Sequence, residues 1–121
     1  MTVRQNMGAL GEQAAADHLR RSGYRIVAQN HRCRRGEVDL IAERGELLVF
    51  VEVRTRATAA FGRPEETVSA AKQRRVVAAA RDYLARWRGP QRGVRFDVVA
   101  ETDSARGPTL LHFENAFDAG P

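Results

Sequence analysis

The sequence predicts one α/β domain with a mixed sheet. Three observations carry that expectation: a length of 121 residues, which suits a single hydrophobic core, helix-period patterns at two separated places, and strand-period alternation between and after them. The order is α-β-β-β-α-β-β over residues 1–121, without an internal repeat or a low-complexity tract. An apolar fraction of 43% sets aside wholesale disorder, a collagen-like repeat and a coiled-coil rod.

Asn6 to Ser22 reads as a helix. Leu10, Ala14 and Leu19 fall near helical spacing, Arg20 and Arg21 occupy the last turn, and Gly23 stands as the C-terminal stop. Tyr24 to Gln29 alternates as a strand should, and Asn30 to Gly36 reads as a basic loop. Glu37 to Arg56 then holds two β-rich runs around Glu43 to Glu46, where Gly45 supplies the positive φ a tight hairpin needs. Period two places Val38, Leu40 and Ala42 on one face of the first run, with Glu37, Asp39 and Ile41 on the other. On the second run Val49, Val51 and Val53 oppose Leu48, Phe50, Glu52 and Arg54. A Gly/Pro-containing loop from Ala57 to Glu66 leads to a helix from Ser69 to Arg88, with Val76, Ala80, Tyr83, Leu84 and Trp87 on its apolar stripe and Gly89-Pro90 ending it. Val94 to Ala100 and Thr109 to Glu114 are the last two strands, joined by a polar connection.

Composition narrows the function classes. The lone cysteine, Cys33, excludes an intramolecular disulfide and a CxxC zinc site, and the three histidines show no ligand spacing. No apolar run approaches the roughly 20 residues of a spanning helix, and the N-terminal stretch lacks a secretory pattern, so a cytoplasmic protein without a membrane partner is expected. The formal charge is +5, and every basic side chain except Lys72 is arginine. Arginine forks bind phosphate oxygens bidentately, while a codon bias produces the same excess. The two readings of the arginine excess stand level, and the charge itself points to an anionic polymer as partner over an acidic protein or a metabolite.

The chemistry concentrates in the hairpin. Alternation sets Glu52 and Arg54 on one face, and the neighbouring strand brings Asp39 beside them. Carboxylates from adjacent strands, completed by a backbone carbonyl and waters, are the oxygen donors a hard cation such as Mg²⁺ takes, and the ion would offset the cost of desolvating them. The competing reading is a set of exposed cross-strand salt bridges from Asp39 and Glu52 to Arg54 and Arg56, which are common and individually weak. Glu12 reads by default as a solvated helix carboxylate, although Gly8 and Gly11 beside it suggest close backbone approach. Cys33 among arginines reads as a loop thiol.

Taken together, the residues resemble a known family. Gly11-Glu12, Asn30 with Arg32, Gly36-Glu37-Val38-Asp39-Leu40-Ile41, Val49-Phe50-Val51-Glu52-Val53-Arg54-Thr55-Arg56, Phe61-Gly62, Lys72, Tyr83-Leu84, Arg95-Phe96-Asp97-Val98 and Asn115-Ala116-Phe117 look like the bacterial YraN family, also called UPF0102. The match spans nearly the whole chain. That family is similar in fold to archaeal Holliday-junction resolvases and to restriction-endonuclease-like PD-(D/E)xK nucleases, an analogy of fold before activity.

The resemblance implies a central mixed sheet flanked by helices and a site of Glu12, Asp39, Glu52, Arg54 and Lys72. Asp39, Glu52 and Glu12 would be the acids at a Mg²⁺ or Mn²⁺ ion, and position 54 would be the place of the motif's lysine. Here that position is Arg54, which steadies charge on a phosphate but stays protonated and cannot act as a base. Lys72 would assist from the neighbouring helix. Arg32, Arg34 and Arg35 of the basic loop, with Arg74, Arg75 and Arg81, would hold backbone phosphates, against the reading of a solvated face. The expected function is a nucleic-acid-binding protein acting as a metal-dependent endonuclease on structured or branched DNA, in a class whose members usually work as dimers. A noncatalytic nucleic-acid-binding module, with Arg54 marking lost cleavage, and a protein-interaction scaffold are the alternatives.

Overall fold

A computed structural model describes residues 3–56, 68–89, 93–102 and 109–119. The elements follow the expected order: α1 (Val3–Arg21), β1 (Arg25–Cys33), β2 (Gly36–Arg44), β3 (Leu47–Arg56), α2 (Ala70–Ala85), β4 (Gly93–Thr102) and β5 (Thr109–Phe117). The loop from Ala57 to Glu66, Phe61-Gly62 within it, the connection between β4 and β5, and the Leu10 side chain lie outside the described residues.

The five strands form one sheet in chain order, antiparallel except for β3 and β4, which run parallel because α2 crosses between them. Two apolar clusters sandwich the sheet. Leu48, Phe50, Phe96 and Val98 pack under Val76, Val77, Ala79 and Ala80 of α2. Val49, Val51 and Val99 pack under Ala15, Ala16 and Leu19 of α1. Fully burying a side chain such as Phe50 contributes ~1.5–3 kcal/mol, so this alternation is what ties the hairpin to both helices.

Local chemistry sets the joints. Gly23 takes φ 91°, and Tyr24 N–H donates to the Leu19 carbonyl at 2.9 Å, closing α1 where the sequence places its stop. Gly45 takes φ 59° in the two-residue β2–β3 turn. Ser69 caps α2, its hydroxyl accepting from the Lys72 N–H at 3.1 Å, which fixes the first turn and with it the stem of Lys72. Gly36 is buried under α2, and a Cβ there would fall onto the Arg75 carbonyl.

Two expectations are corrected. The basic stretch is mostly strand: β1 continues to Cys33, and only Arg34 and Arg35 form the turn into β2, because His31, Arg32 and Cys33 find ladder partners in Val38, Glu37 and Gly36. Val38 does not share a face with Leu40 and Ala42. It packs with Ile41 on the α2 side, while Leu40 and Ala42 face α1. The phase slips at Asp39, where the β2–β3 ladder stops at the Leu40–Val51 pair and the Asp39 carboxylate accepts from the Val53 N–H at 2.8 Å. On β1 the matching irregularity is Asn30, at φ 51°.

Candidate metal and nucleic-acid site

The slip at Asp39 makes the site. Because Asp39 Oδ2 takes the place of a backbone carbonyl in the ladder, its carboxylate stays at the sheet beside Glu52 on the adjoining strand. Glu52 is 3% exposed, on the face covered by α2. The first turn of α2, held over the sheet by the buried Val76, Val77, Ala79 and Ala80, brings Lys72 onto it, with Nζ 3.2 Å from Glu52 Oε1. Lys72 also reaches Glu37 Oε1 at 3.7 Å, and Arg32 and Arg75 approach the same Glu37 carboxylate at 3.2 and 3.8 Å.

Burial first, then Asp39 through like charge and by accepting from the protonated form, together push the Glu52 carboxyl up to about 8. Lys72 opposes both effects with its charge and a hydrogen bond, but does not overcome them. Among the described residues Glu52 Oε2 is buried with no hydrogen-bond partner. An ionised Glu52 therefore lacks a donor that either a proton or a cation would supply.

Glu12 stands apart, half-buried on α1, accepting from Asn30 Nδ2 at 3.2 Å. Burial raises its carboxyl, Asn30 lowers it, and the field of Asp39 raises it. Among the described residues no three His, Cys, Asp or Glu side chains lie close enough to hold one metal. The structure thus brings together Asp39, Glu52 and Lys72, with Glu12 near enough to feel Asp39 but engaged elsewhere.

Arg54 is half-buried two residues beyond Glu52 and makes no ion pair with Asp39 or Glu52 among the described residues. Arg34 and Arg35 are exposed at the β1–β2 turn and, with Cys33, Ala78, Arg81 and Asp82, line a cavity of about 350 Å³. Arg74 and Arg75 are exposed on α2. Arg74, Arg75 and Arg81 thus share α2 with Lys72, and Arg34 and Arg35 stand at the turn beside that helix.

Two features escape sequence reading. Glu37 ties three cations to the end of β2, and its only signal is its place beside Asp39 in the GEVDLI run. Asp97 is fully buried and bound by the Arg95 fork at 2.8 and 2.7 Å, by His112 Nε2 at 2.7 Å and by the Asn115 N–H at 3.0 Å. Burial alone would raise its carboxyl, but these donors hold it below the usual carboxylate range. The Tyr24 hydroxyl extends the network, accepting from Arg95 at 2.6 Å.

The fold and site define a small three-layer α/β protein carrying an acidic pair and a lysine on one face of its sheet. Residues 11–100 match the model of the uncharacterised protein family UPF0102, and the chain belongs to that family. It is similar to a UPF0102 protein of Anaeromyxobacter dehalogenans, 53% identical over 95% of this chain and 86% of that one. The Symbiobacterium thermophilum relative is 49% identical over 95% and 98% of the two chains, and that of Myxococcus xanthus 46% over 97% and 93%. No helix among the described residues is long and apolar enough to cross a membrane.

Proposed function

We propose that this chain is a nucleic-acid-binding protein of the restriction-endonuclease-like class, a Mg²⁺- or Mn²⁺-dependent endonuclease acting on structured or branched DNA in the cytoplasm, with a homodimer as the working assembly. The observation that carries the reading is Lys72 Nζ at 3.2 Å from Glu52 Oε1. The lysine missing from position 54 has a stand-in on α2, directed at the same acid.

The donor set fits a hard dication. Mg²⁺ is commonly held by one or two carboxylates, waters and a substrate phosphate, and the orphaned Glu52 Oε2 is a donor in want of such a partner. Asp39 and Glu52 would hold the ion, which when bound polarises the scissile phosphate and acidifies an attacking water. Asp39 is already oriented by the Val53 N–H, so its carboxylate needs no rearrangement. Lys72 balances Glu52 in the free protein and steadies phosphate charge once Glu52 is engaged. Arg54 stands on the same strand face to do the same. Arg34, Arg35, Arg74, Arg75 and Arg81 would track the backbone of the nucleic acid, as arginine does without reading sequence.

The noncatalytic module is favoured by one observation: Lys72 already compensates Glu52, so the pocket holds together without an ion.

The test is cleavage of linear, single-stranded and branched DNA with Mg²⁺ or Mn²⁺, beside an Asp39→Asn control and binding measured across salt. Cleavage by the wild type that is lost in the control is expected. The log–log salt slope of binding should flatten by roughly 0.9 for each phosphate contact removed when Arg34, Arg35, Arg74 and Arg75 become alanine. Salt-dependent binding without cleavage would establish the module instead, and no binding at low salt the scaffold.

A further inference from the structure

On the opposite face of the sheet from Lys72, α1 and β5 bring two imidazoles together. His18 Nε2 lies 3.3 Å from His112 Nδ1, and the rings meet edge-on at 79° with centroids 5.3 Å apart. Two imidazole nitrogens bound at about 2.0–2.1 Å to one tetrahedral ion stand roughly 3.3–3.4 Å apart, so the pair already has the spacing of two ligands on one metal.

The surroundings prepare His112 for that role. Its Nε2 is 2.7 Å from Asp97 Oδ2, and Asp97 is itself immobilised by Arg95 and the Asn115 N–H. A buried carboxylate accepts only, so the Nε2 proton of His112 is spent on Asp97, and in the neutral ring Nδ1 presents its lone pair to His18. This is the carboxylate–histidine arrangement that orients a metal-binding imidazole and raises its basicity. His18, on the last turns of α1, is held below its usual range by burial, by His112 and by Arg21.

We infer that His18 and His112 form a two-nitrogen site for a first-row transition dication, with Zn²⁺ as the reference ion and water in the remaining positions. It is separate from the Asp39–Glu52 pair and differs from it in kind, since imidazole suits Zn²⁺ and carboxylate oxygens suit Mg²⁺. The neighbouring charges set its strength. Arg95 is neutralised by Asp97, Glu114 lies 3.7 Å from Arg95, Arg44 stacks on Tyr24 at 4.3 Å, and Arg21 faces His18. With two protein ligands and the positive charge of Arg21 nearby, binding in the micromolar range is expected rather than the tight closure of a structural zinc site.

The experiment is a ZnCl₂ titration of the full chain at pH 7.5, followed by calorimetry and by the imidazole ¹⁵N resonances. Zinc should shift His18 Nε2 and His112 Nδ1 together and leave His31 in place, whatever further zinc the Asp39–Glu52 pair takes up. His18→Gln, whose amide can still donate to His112 Nδ1, should weaken uptake at least about tenfold. His31→Gln and Cys33→Ser should leave the zinc shifts of His18 and His112 as they are in the wild type. Unchanged His18 and His112 resonances at saturating zinc, or unchanged affinity in His18→Gln, would overturn the inference. The wild-type spectrum decides the matter by itself should the variant fold poorly.

Discussion

Lys72 reaches Glu52 across the interface between α2 and the sheet, Nζ to Oε1 at 3.2 Å, although the two residues are neither on the same element nor on adjacent ones in the sheet. The Ser69 cap and the buried Val76, Val77, Ala79 and Ala80 stripe place it there. In the proposed endonuclease reaction Lys72 acts through that placement. Lys72→Met should therefore reduce metal-dependent cleavage by about 10² or more while circular dichroism and the thermal midpoint stay near wild type. Arg54→Lys should preserve or raise the rate, and single-turnover kinetics on a branched duplex distinguishes the two sites.

Glu52 makes the free protein sensitive to alkali. Its carboxyl is raised from an ordinary 4.5 to about 8, so the fold prefers the protonated form and its contribution is fully present below the unfolded value. That contribution is lost as pH rises through about 8. Glu52→Gln should consequently stabilise the metal-free chain at pH 8.5, by on the order of 1–3 kcal/mol, and change little at pH 5. Urea denaturation at the two pH values with chelator present measures it. Metal affinity should move the opposite way, increasing with pH as Glu52 loses its proton.

Gly36 lies where β2 passes beneath α2, and an added methyl would meet the Arg75 carbonyl. Backbone cannot yield there as a long side chain would. Gly36→Ala should lower stability by about 1–3 kcal/mol and loosen the contact of Lys72 with Glu37 and Glu52. A urea midpoint together with a reduced cleavage rate would show both effects.

Asp97 accepts from Arg95, His112 and the Asn115 N–H within a fully buried position. Removing its charge leaves Arg95 uncompensated, at a cost of about 3 kcal/mol or more for a buried pair broken on one side. Asp97→Asn should show that loss in equilibrium unfolding at pH 7. The wild type should lose the same contribution only in acid, as pH falls through the depressed Asp97 value.

Much of the fold is legible in the residues because the helices and strands bury apolar side chains at their natural periods. Val49, Val51 and Val53 against Leu48, Phe50 and Glu52 separate onto the two faces as alternation requires, and Gly23 and Gly45 mark real ends. Alternation fails at Val38 because a side chain, Asp39, substitutes for backbone in the ladder, and no periodic rule anticipates that. The reading of Asn30 to Gly36 as loop fails for a related reason: charged residues at an edge strand carry no apolar pattern, and their pairing depends on Glu37 and Val38 across the turn. In the site, Asp39 beside Glu52 is legible from the hairpin. The approach of Lys72 depends on how α2 crosses the sheet, and the contacts of Asp97 depend on the β4–β5 register, neither of which local sequence states.

The account stands most directly on metal uptake by the Asp39–Glu52 pair. Titration of Mg²⁺, which imidazole does not suit, into the chain at pH 8.5, read by calorimetry in two buffers of different ionisation enthalpy, should show one saturable site with net proton release, and the site should disappear in both Asp39→Asn and Glu52→Gln. The absence of uptake by the wild type, or uptake that both variants retain, would contradict it.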